Sequence, residues 1–133
     1  MSSLWEYELA ALDFETTGLF PDRGDRAIEV AVVRGRHGDT PTRWATLLDP
    51  ARPVDASEIH GITDEMVRGQ PSFAERAPTL SRLLRGAVLV AHNARFDEAF
   101  LHMEYARAGL WAPEVPVLDT LGLSRRVLAL PSH

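Results

Sequence analysis

Two acidic residues, Asp13 and Glu15, end an apolar run near the start of the chain. If the strand predicted over residues 7–13 continues through them, both carboxylates point to the same face, with Phe14 directed into the core. Adjacent carboxylates repel each other unless a proton or a cation lies between them. Oxygen ligands suit Mg²⁺ or Mn²⁺, so the pair is a candidate metal site. The alternative interpretation is a solvated strand end.

Thr16, Thr17 and Gly18 follow the acidic pair and are predicted to begin a turn-rich loop. Glycine permits backbone geometry that other residues rarely adopt. The amides and hydroxyls of this segment are expected to lie beside the carboxylates. They could hold a phosphate or the edge of a sugar there.

A second group of polar residues occurs where an apolar strand, predicted over residues 87–91, runs directly into a helix. Asn93 is the predicted N-cap of that helix and Asp97 lies in its first turn. In α/β sheets, ligand sites gather just beyond such strand ends. Asp97 is therefore a candidate partner of the first pair, although an acidic residue there also suits the helix dipole.

His60 lies in a third segment, between the apolar residues Ile59 and Ile62. No second histidine, cysteine or acidic residue stands at zinc-like spacing, which argues against a zinc site. The hypothesis for His60 is therefore contact with a base or a ribose.

The elements that must position these residues are predicted to form a mixed α/β sheet. Strands over residues 7–13, 27–35 and 42–48 form a meander, and strands over 87–91 and 115–118 are added by helical crossovers. Pro78 is expected to separate a turn at 73–77 from a helix at 78–85. The helix after Asn93 is predicted to bury Phe96, Ala99, Phe100 and Met103, and Asp119 to cap a final helix.

The 133-residue length predicts one domain, over residues 1–133. The chain has no cysteine, which excludes disulfides and cysteine nucleophiles and favours a reducing cytoplasm. All 14 cationic residues are arginine, which excludes lysine nucleophiles and a P-loop lysine. No apolar run approaches membrane-spanning length, so no membrane association is expected. A carboxylate-rich metal site would account for part of the net charge of −5.

Four segments together resemble the DnaQ-like exonucleases, the histidine branch of the DEDD superfamily. Residues 13–18 followed by 28–30 resemble the first motif of that family, and residues 91–97 resemble the second. The sequence Ile59-His60-Gly61-Ile62-Thr63 and the Asp119-Thr120 step match two further family segments. The matches occur in the family's order and cover essentially the whole chain.

The resemblance implies a ribonuclease H-like fold and two-metal hydrolysis of 3′-terminal nucleotides by Mg²⁺ or Mn²⁺. It implies that Asp13 bridges both ions, that Glu15 binds the ion activating water, and that Asp97 supports the second ion. The expected substrate is a single-stranded or frayed 3′ end of DNA, in proofreading or repair, with a DNA polymerase as an expected partner. The predicted substrate contacts are Thr16, Thr17, Gly18, Ile59, His60, Asn93 and Phe96.

The sequence departs from the family at its third motif, a histidine followed five residues later by an aspartate. His133 instead resembles a serine–histidine step that precedes this motif. The chain as given is therefore predicted to lack the C-terminal catalytic helix and to have little activity. The alternatives are an RNA-directed exoribonuclease, a non-catalytic module that binds nucleic-acid ends or a polymerase, and an unrelated α/β interaction domain.

Overall fold

A five-stranded mixed sheet lies at the centre of the computed structural model, which describes residues 6–54 and 60–121. The strands stand in the order β3-β2-β1-β4-β5, with β1–β2 and β2–β3 antiparallel and the other two pairs parallel. This arrangement confirms the predicted meander with later strands added by crossovers. The strands are β1 (Glu8–Thr16), β2 (Ala27–Arg36), β3 (Thr42–Leu47), β4 (Val88–Ala91) and β5 (Val117–Asp119).

Two long helices pack on one face of this sheet. They are α2 (Phe73–Leu84) and α3 (Ala94–Arg107), and a single turn, α1 (Asp64–Val67), precedes them. Alternate residues of β1 face these helices, because side chains two apart on a strand share a face. Phe14 is among them and is 4% exposed, which confirms its predicted direction. The core between sheet and helices contains Ala10, Leu12, Phe14, Val30, Val32, Leu80, Leu89, Phe100 and Tyr105.

Strand β1 is longer than predicted. The prediction that a loop begins at Thr16 was wrong, because pairing with β2 continues through Glu15–Glu29 to Thr16–Ala27, with a bulge before the last pair. The strand therefore holds both acidic residues in regular geometry. At the other edge, β5 begins two residues later than the strand predicted over residues 115–118.

Helix α2 is continuous through Pro78, so the prediction of a turn at 73–77 separate from a helix at 78–85 was wrong. The buried residues Phe73 and Ala77 before the proline, and Leu80 and Leu84 after it, enter the same core. Burial on both sides outweighs the loss of one backbone hydrogen bond at the proline. Ser72 begins the helix with a capping box.

Helix α3 presents a different face to the core from the one predicted. Ala99 is exposed, and Phe96 and Met103 are only partly buried. The buried face consists of Asp97, Phe100, Leu101, Glu104 and Tyr105. Two residues of this buried face, Asp97 and Glu104, are acidic. They accept hydrogen bonds from residues in or next to strands β1 and β2.

Within the described residues, no helix is long and apolar enough to cross a membrane. The predicted hairpin between β2 and β3 is present, with the Asp39 N–H donating to the Arg36 carbonyl over 2.9 Å. The helix predicted after Asp119 lies largely outside the described residues. At its start, the Asp119 carboxylate accepts the Leu121 N–H at 3.0 Å.

Candidate active site

Asp13 and Glu15 point away from the core, on the face of β1 opposite Phe14. Asp13 is exposed and Glu15 is partly buried. The pairing of β1 with β4 ends at Ala11–Val90, so both carboxylates lie beyond the end of β4. They therefore occupy the carboxyl edge of the parallel strands, where α/β proteins place ligands.

Asp97 joins this edge from the first turn of α3. Only His92 and Asn93 separate β4 from the helix, which brings Asp97 over the end of β1. The Asp97 side chain is 5% exposed, and the Phe14 backbone N–H hydrogen-bonds to it. Its Oδ1 atom is buried and has no hydrogen-bond partner. A buried carboxylate oxygen without a partner is costly, so this atom is suited to a ligand.

The carboxylates at this edge disfavour one another's charge. Burial, and then the charge of Asp13, raise the pKa of Asp97 to about 7; the Phe14 N–H opposes this, and Asp119 and Glu15 add to it. Burial and then Asp13 also raise the pKa of Glu15. A divalent cation bound between the carboxylates would relieve this repulsion and would give the buried oxygen of Asp97 a partner.

The donors fit Mg²⁺ or Mn²⁺ in type and charge, since all are carboxylate oxygens. Within residues 6–54 and 60–121, no three histidine or acidic side chains are close enough to form a complete metal-binding group. Mg²⁺ commonly keeps several waters and takes only one or two carboxylates from the protein. The carboxylates of Asp13, Glu15 and Asp97 therefore fit as part of a coordination shell.

His60 lies close enough to Glu15 for its charge to lower the pKa of that carboxyl. Its Nδ1 atom accepts the Ile62 N–H at 3.0 Å, so the neutral ring carries its proton on Nε2. Nε2 is buried and has no partner. His60 thus offers an unused donor beside the carboxylates. Ile59, its predicted companion, lies outside the described residues.

The hydroxyls of Thr16 and Thr17 are already used within the loop. Thr16 Oγ1 donates to the Gly18 carbonyl at 2.7 Å. Thr17 Oγ1 donates to Asp25 Oδ1 and accepts the Arg26 N–H, both at 3.0 Å. Neither hydroxyl therefore has a free O–H to donate to a phosphate, and contact of this segment with a phosphate or sugar stays a prediction.

Gly18 is required for a different reason from the one predicted. Its φ is not among the positive values, so the backbone geometry is open to other residues. A Cβ atom at this position would instead lie 2.4 Å from Asp25 Oδ2. The glycine thus permits close approach of the Asp25 carboxylate, which also accepts the Phe20 N–H at 3.0 Å.

Asn93 occupies the N-cap position of α3, but its side chain makes no capping hydrogen bond. Only its backbone carbonyl takes part in the helix, accepting the Asp97 N–H at 3.1 Å. Its exposed side chain is free to meet a ligand at this edge. The Phe96 ring is partly buried and packs against Phe100, with 4.9 Å between ring centroids.

Comparison with known proteins identifies the family of the chain. A sequence profile described as exonuclease, of the RNase T type, matches residues 10–132. The chain belongs to this exonuclease family. The described part of the exonuclease has the five-stranded sheet and flanking helices of a ribonuclease H-like fold. Exonuclease X, solved in complex with duplex DNA carrying a 5′ overhang, is similar, with a TM-score of 0.68 and 30% identity over 91% of this chain and 64% of that one.

Two curated relatives are longer than this chain. The 3′-5′ exonuclease DinG of Bacillus subtilis is 37% identical over 87% of this chain and 13% of its own length. The DNA polymerase III subunit epsilon of Treponema pallidum is 40% identical over 88% of this chain and 55% of its own length. The exonuclease chain thus spans a minor part of the first protein and about half of the second.

Three further acidic residues were not predicted as site residues, of which two add charge at this edge and the third lies further along α3. Glu29 pairs with Glu15 across β1 and β2, and its charge raises the pKa of Glu15. Asp119 at the end of β5 raises the pKa of Asp97. Glu104 lies seven residues after Asp97, on the same buried helix face. No local signal marked them, because the residues that they influence lie far away in sequence or across the sheet.

Proposed function

We propose that this exonuclease is of the DEDDh type and hydrolyses 3′-terminal nucleotides from DNA in proofreading or repair. The observation that carries the proposal is the meeting of Asp97 with Asp13 and Glu15. A buried carboxylate with an unpartnered oxygen and a pKa of about 7 lies close enough to Asp13 and Glu15 for their charges to raise that pKa, although 81 residues stand between Glu15 and Asp97 in sequence. Perturbed carboxylates clustered beyond strand ends are typical of catalytic sites.

Asp13, Glu15 and Asp97 are the residues that would hold divalent cations. Two such ions, when bound, supply Lewis acidity and a nucleophile at neutral pH for phosphodiester hydrolysis. The chain's own contribution is to hold three carboxylates on two rigid elements, β1 and α3. The Phe14 N–H fixes the direction of the Asp97 carboxylate, and the core fixes Phe14.

The terminal nucleotide is proposed to lie between His60, Phe96 and the backbone of the Thr16–Gly18 loop. The Nε2–H of His60 is a buried donor without a protein partner, and His60 lies close enough to Glu15 to influence its pKa. Asn93 adds an exposed amide at the start of the helix that carries Asp97. Stacking on an aromatic ring tolerates any base, which suits an enzyme that shortens ends of every sequence.

DNA is the proposed substrate, as a single-stranded or frayed 3′ end, and a DNA polymerase is the proposed partner. Support comes from the relatives, of which one is named a DNA polymerase III subunit and another a 3′-5′ exonuclease. A cytoplasmic location stays a prediction from the absence of cysteine.

The 133 residues contain no histidine and aspartate at the family's third motif. General-base catalysis contributes about 10²–10⁴-fold in rate. We therefore expect the 133-residue chain to be nearly inactive, and a longer chain that includes a third motif to be an efficient exonuclease.

The decisive experiment compares both chains on 5′-labelled single-stranded DNA and RNA of matched sequence with Mg²⁺. We expect the longer chain to give a ladder of DNA shortened from the 3′ end, abolished by a chelator. Asp97→Asn in that chain should lower the rate by about 100-fold or more. The exposed Glu114, changed to Gln, is the matched control and should leave the rate unchanged.

Three outcomes would contradict parts of the proposal. Rapid cleavage by the 133-residue chain would contradict its expected inactivity. Faster cleavage of RNA than of DNA would identify an exoribonuclease. Binding of DNA ends by the longer chain without any cleavage would identify a non-catalytic module.

A further inference from the structure

We propose that Glu104 and Arg26 position the metal carboxylates, by locking helix α3 to the loop that joins β1 and β2. Neither residue is a metal ligand in this proposal, which rests on the proposed function. Both lie away from the Asp13–Glu15 pair, and each acts through another residue.

Glu104 is a fully buried carboxylate whose two oxygens are both used. Its side chain is 0% exposed. Oε1 accepts Arg26 Nε at 3.0 Å and Nη2 at 2.8 Å, while Oε2 accepts Arg26 Nε at 3.1 Å and the Ala27 N–H at 2.7 Å. A forked arginine–carboxylate pair with a backbone donor fixes both partners in direction. Glu104 therefore holds the first residues of β2 at a set distance from α3.

Arg26 transmits this anchor to the loop after the acidic pair. Its backbone N–H donates to Thr17 Oγ1 at 3.0 Å, and its carbonyl accepts the Thr17 N–H at 2.8 Å. Its Nη1 also donates to the Pro50 carbonyl at 3.3 Å. Thr17 is two residues after Glu15, so the end of β1 is fixed through Arg26 to Glu104.

Helix α3 is thus hydrogen-bonded at two points on one face, to β1 through Asp97 and to the start of β2 through Glu104. Asp97 and Glu104 are seven residues apart, which is close to two helical turns, so both project toward the sheet. Asp97 receives the Phe14 N–H, and Glu104 receives Arg26 and Ala27. Two contacts on one helix set its rotation as well as its distance. Loss of the Glu104 contact would allow Asp97 to turn away from Asp13 and Glu15.

A contribution to stability does not by itself explain why Glu104 and Arg26 form a buried ion pair. A buried ion pair is often no more stabilising than apolar side chains of similar volume, because both charges lose their hydration. Its directional hydrogen bonds do give the helix and loop one relative position. Residues that orient metal ligands from behind typically change metal affinity or activity by 10–100-fold when they are altered.

The test uses Glu104→Gln, Arg26→Gln and the double variant, each compared with wild type. Tyr105→Phe is the matched control, because Tyr105 is the neighbouring buried residue on α3 but bonds to Ser81 Oγ and the Ala77 carbonyl on α2. Mn²⁺ affinity is measured by paramagnetic broadening of the Phe14 amide signal. Hydrogen exchange of the Thr17 amide is measured without metal, with the Leu89 amide as the internal reference.

We expect Glu104→Gln and Arg26→Gln each to weaken Mn²⁺ binding by about tenfold or more, and the double variant to lose no more than either. Exchange at Thr17 should accelerate by about tenfold relative to Leu89. Tyr105→Phe should leave both readouts within about twofold of wild type. This should hold even if its melting temperature falls as much as that of Glu104→Gln.

Unchanged Mn²⁺ affinity in Glu104→Gln would overturn the proposal, whether or not Thr17 exchange accelerates. Unchanged Thr17 exchange would overturn it as well, since the loop would then not depend on the pair. Failure of the proposed function gives a different result. Wild type would then show no Mn²⁺ broadening at Phe14, and the positioning role would fall with it.

Discussion

Replacing Asp97 by asparagine should stabilise the metal-free protein while removing its response to metal. The carboxylate is buried beside Asp13, and its pKa rises from 3.8 to about 7. Asparagine is nearly the same size, keeps a carbonyl oxygen for the Phe14 N–H and carries no charge. The substitution therefore removes the buried charge with little change in packing.

The size of the effect follows from proton linkage. Because the folded pKa of Asp97 is raised, the folded chain binds more protons than the unfolded chain between pH 3.8 and about 7. Stability from this group is thus present at low pH and is lost as pH rises through that window. The loss is about 4 kcal/mol at pH 8 and about 2 kcal/mol at pH 5, at about 1.4 kcal/mol per pH unit.

An asparagine N–H₂ facing the position of the unpartnered oxygen costs about 1 kcal/mol. The net gain of Asp97→Asn is then about 3 kcal/mol at pH 8 and about 1 kcal/mol at pH 5. For a chain of 133 residues, this corresponds to melting temperatures roughly 12 °C and 4 °C above those of wild type.

Thermal melts of both proteins at pH 5 and pH 8, with a chelator and with 10 mM Mg²⁺, test this expectation. Mg²⁺ should raise the melting temperature of wild type at pH 8, because a ligand that binds only the folded state stabilises it. It should leave Asp97→Asn unchanged. Asp22→Asn, at an exposed site in the loop after β1, is the control and should match wild type throughout.

The reasoning would be refuted by an Asp97→Asn protein that melts at or below the wild-type temperature at pH 8 without metal. A stabilisation of equal size at both pH values would also refute it, because the charge on Asp97 would then not be its source.

Other substitutions test separate parts of the structure. Gly18→Ala should cost about 1–2 kcal/mol by displacing the Asp25 carboxylate from its hydrogen bonds, and that cost in melting experiments should disappear when Asp25 is also alanine. Pro78→Ala should raise the free energy of unfolding by about 1–3 kcal/mol, because it restores a helix hydrogen bond at an exposed position, and a fall in denaturant midpoint would contradict this. Ser72→Ala should cost about 1 kcal/mol, whereas Asn93→Ala should cost only a few tenths in the same denaturant series, since only Ser72 caps its helix through the side chain.

The shared face of Asp13 and Glu15 was predictable because the pair follows a continuous apolar run and stands two residues apart on the strand. Burial then alternates along β1 from Ala10 to Phe14, and the acidic pair lies on the opposite face. The end of the strand was not predictable from local sequence. Pairing with Ala27 and Glu29 of β2, a long-range contact, keeps Thr16 in the strand despite its turn-forming neighbours.

The buried face of helix α3 was not predictable from local sequence. Apolar spacing predicted that Phe96, Ala99 and Met103 face the core, yet the buried face includes Asp97 and Glu104. Their burial depends on Phe14, Ala27 and Arg26, which lie far away in sequence. No local pattern distinguishes an acidic residue with a distant partner from one that faces solvent.

Phe14 belongs to the core through its side chain and to the proposed active site through its backbone, since its N–H bonds to Asp97. Core packing around Phe14 therefore also determines the position of the Asp97 carboxylate. A substitution that only reshapes the core at Phe14 would be scored in a genetic screen as a catalytic defect, although it removes no acidic residue. Efforts to make the enzyme more heat-resistant by redesigning its interior should therefore leave this position untouched.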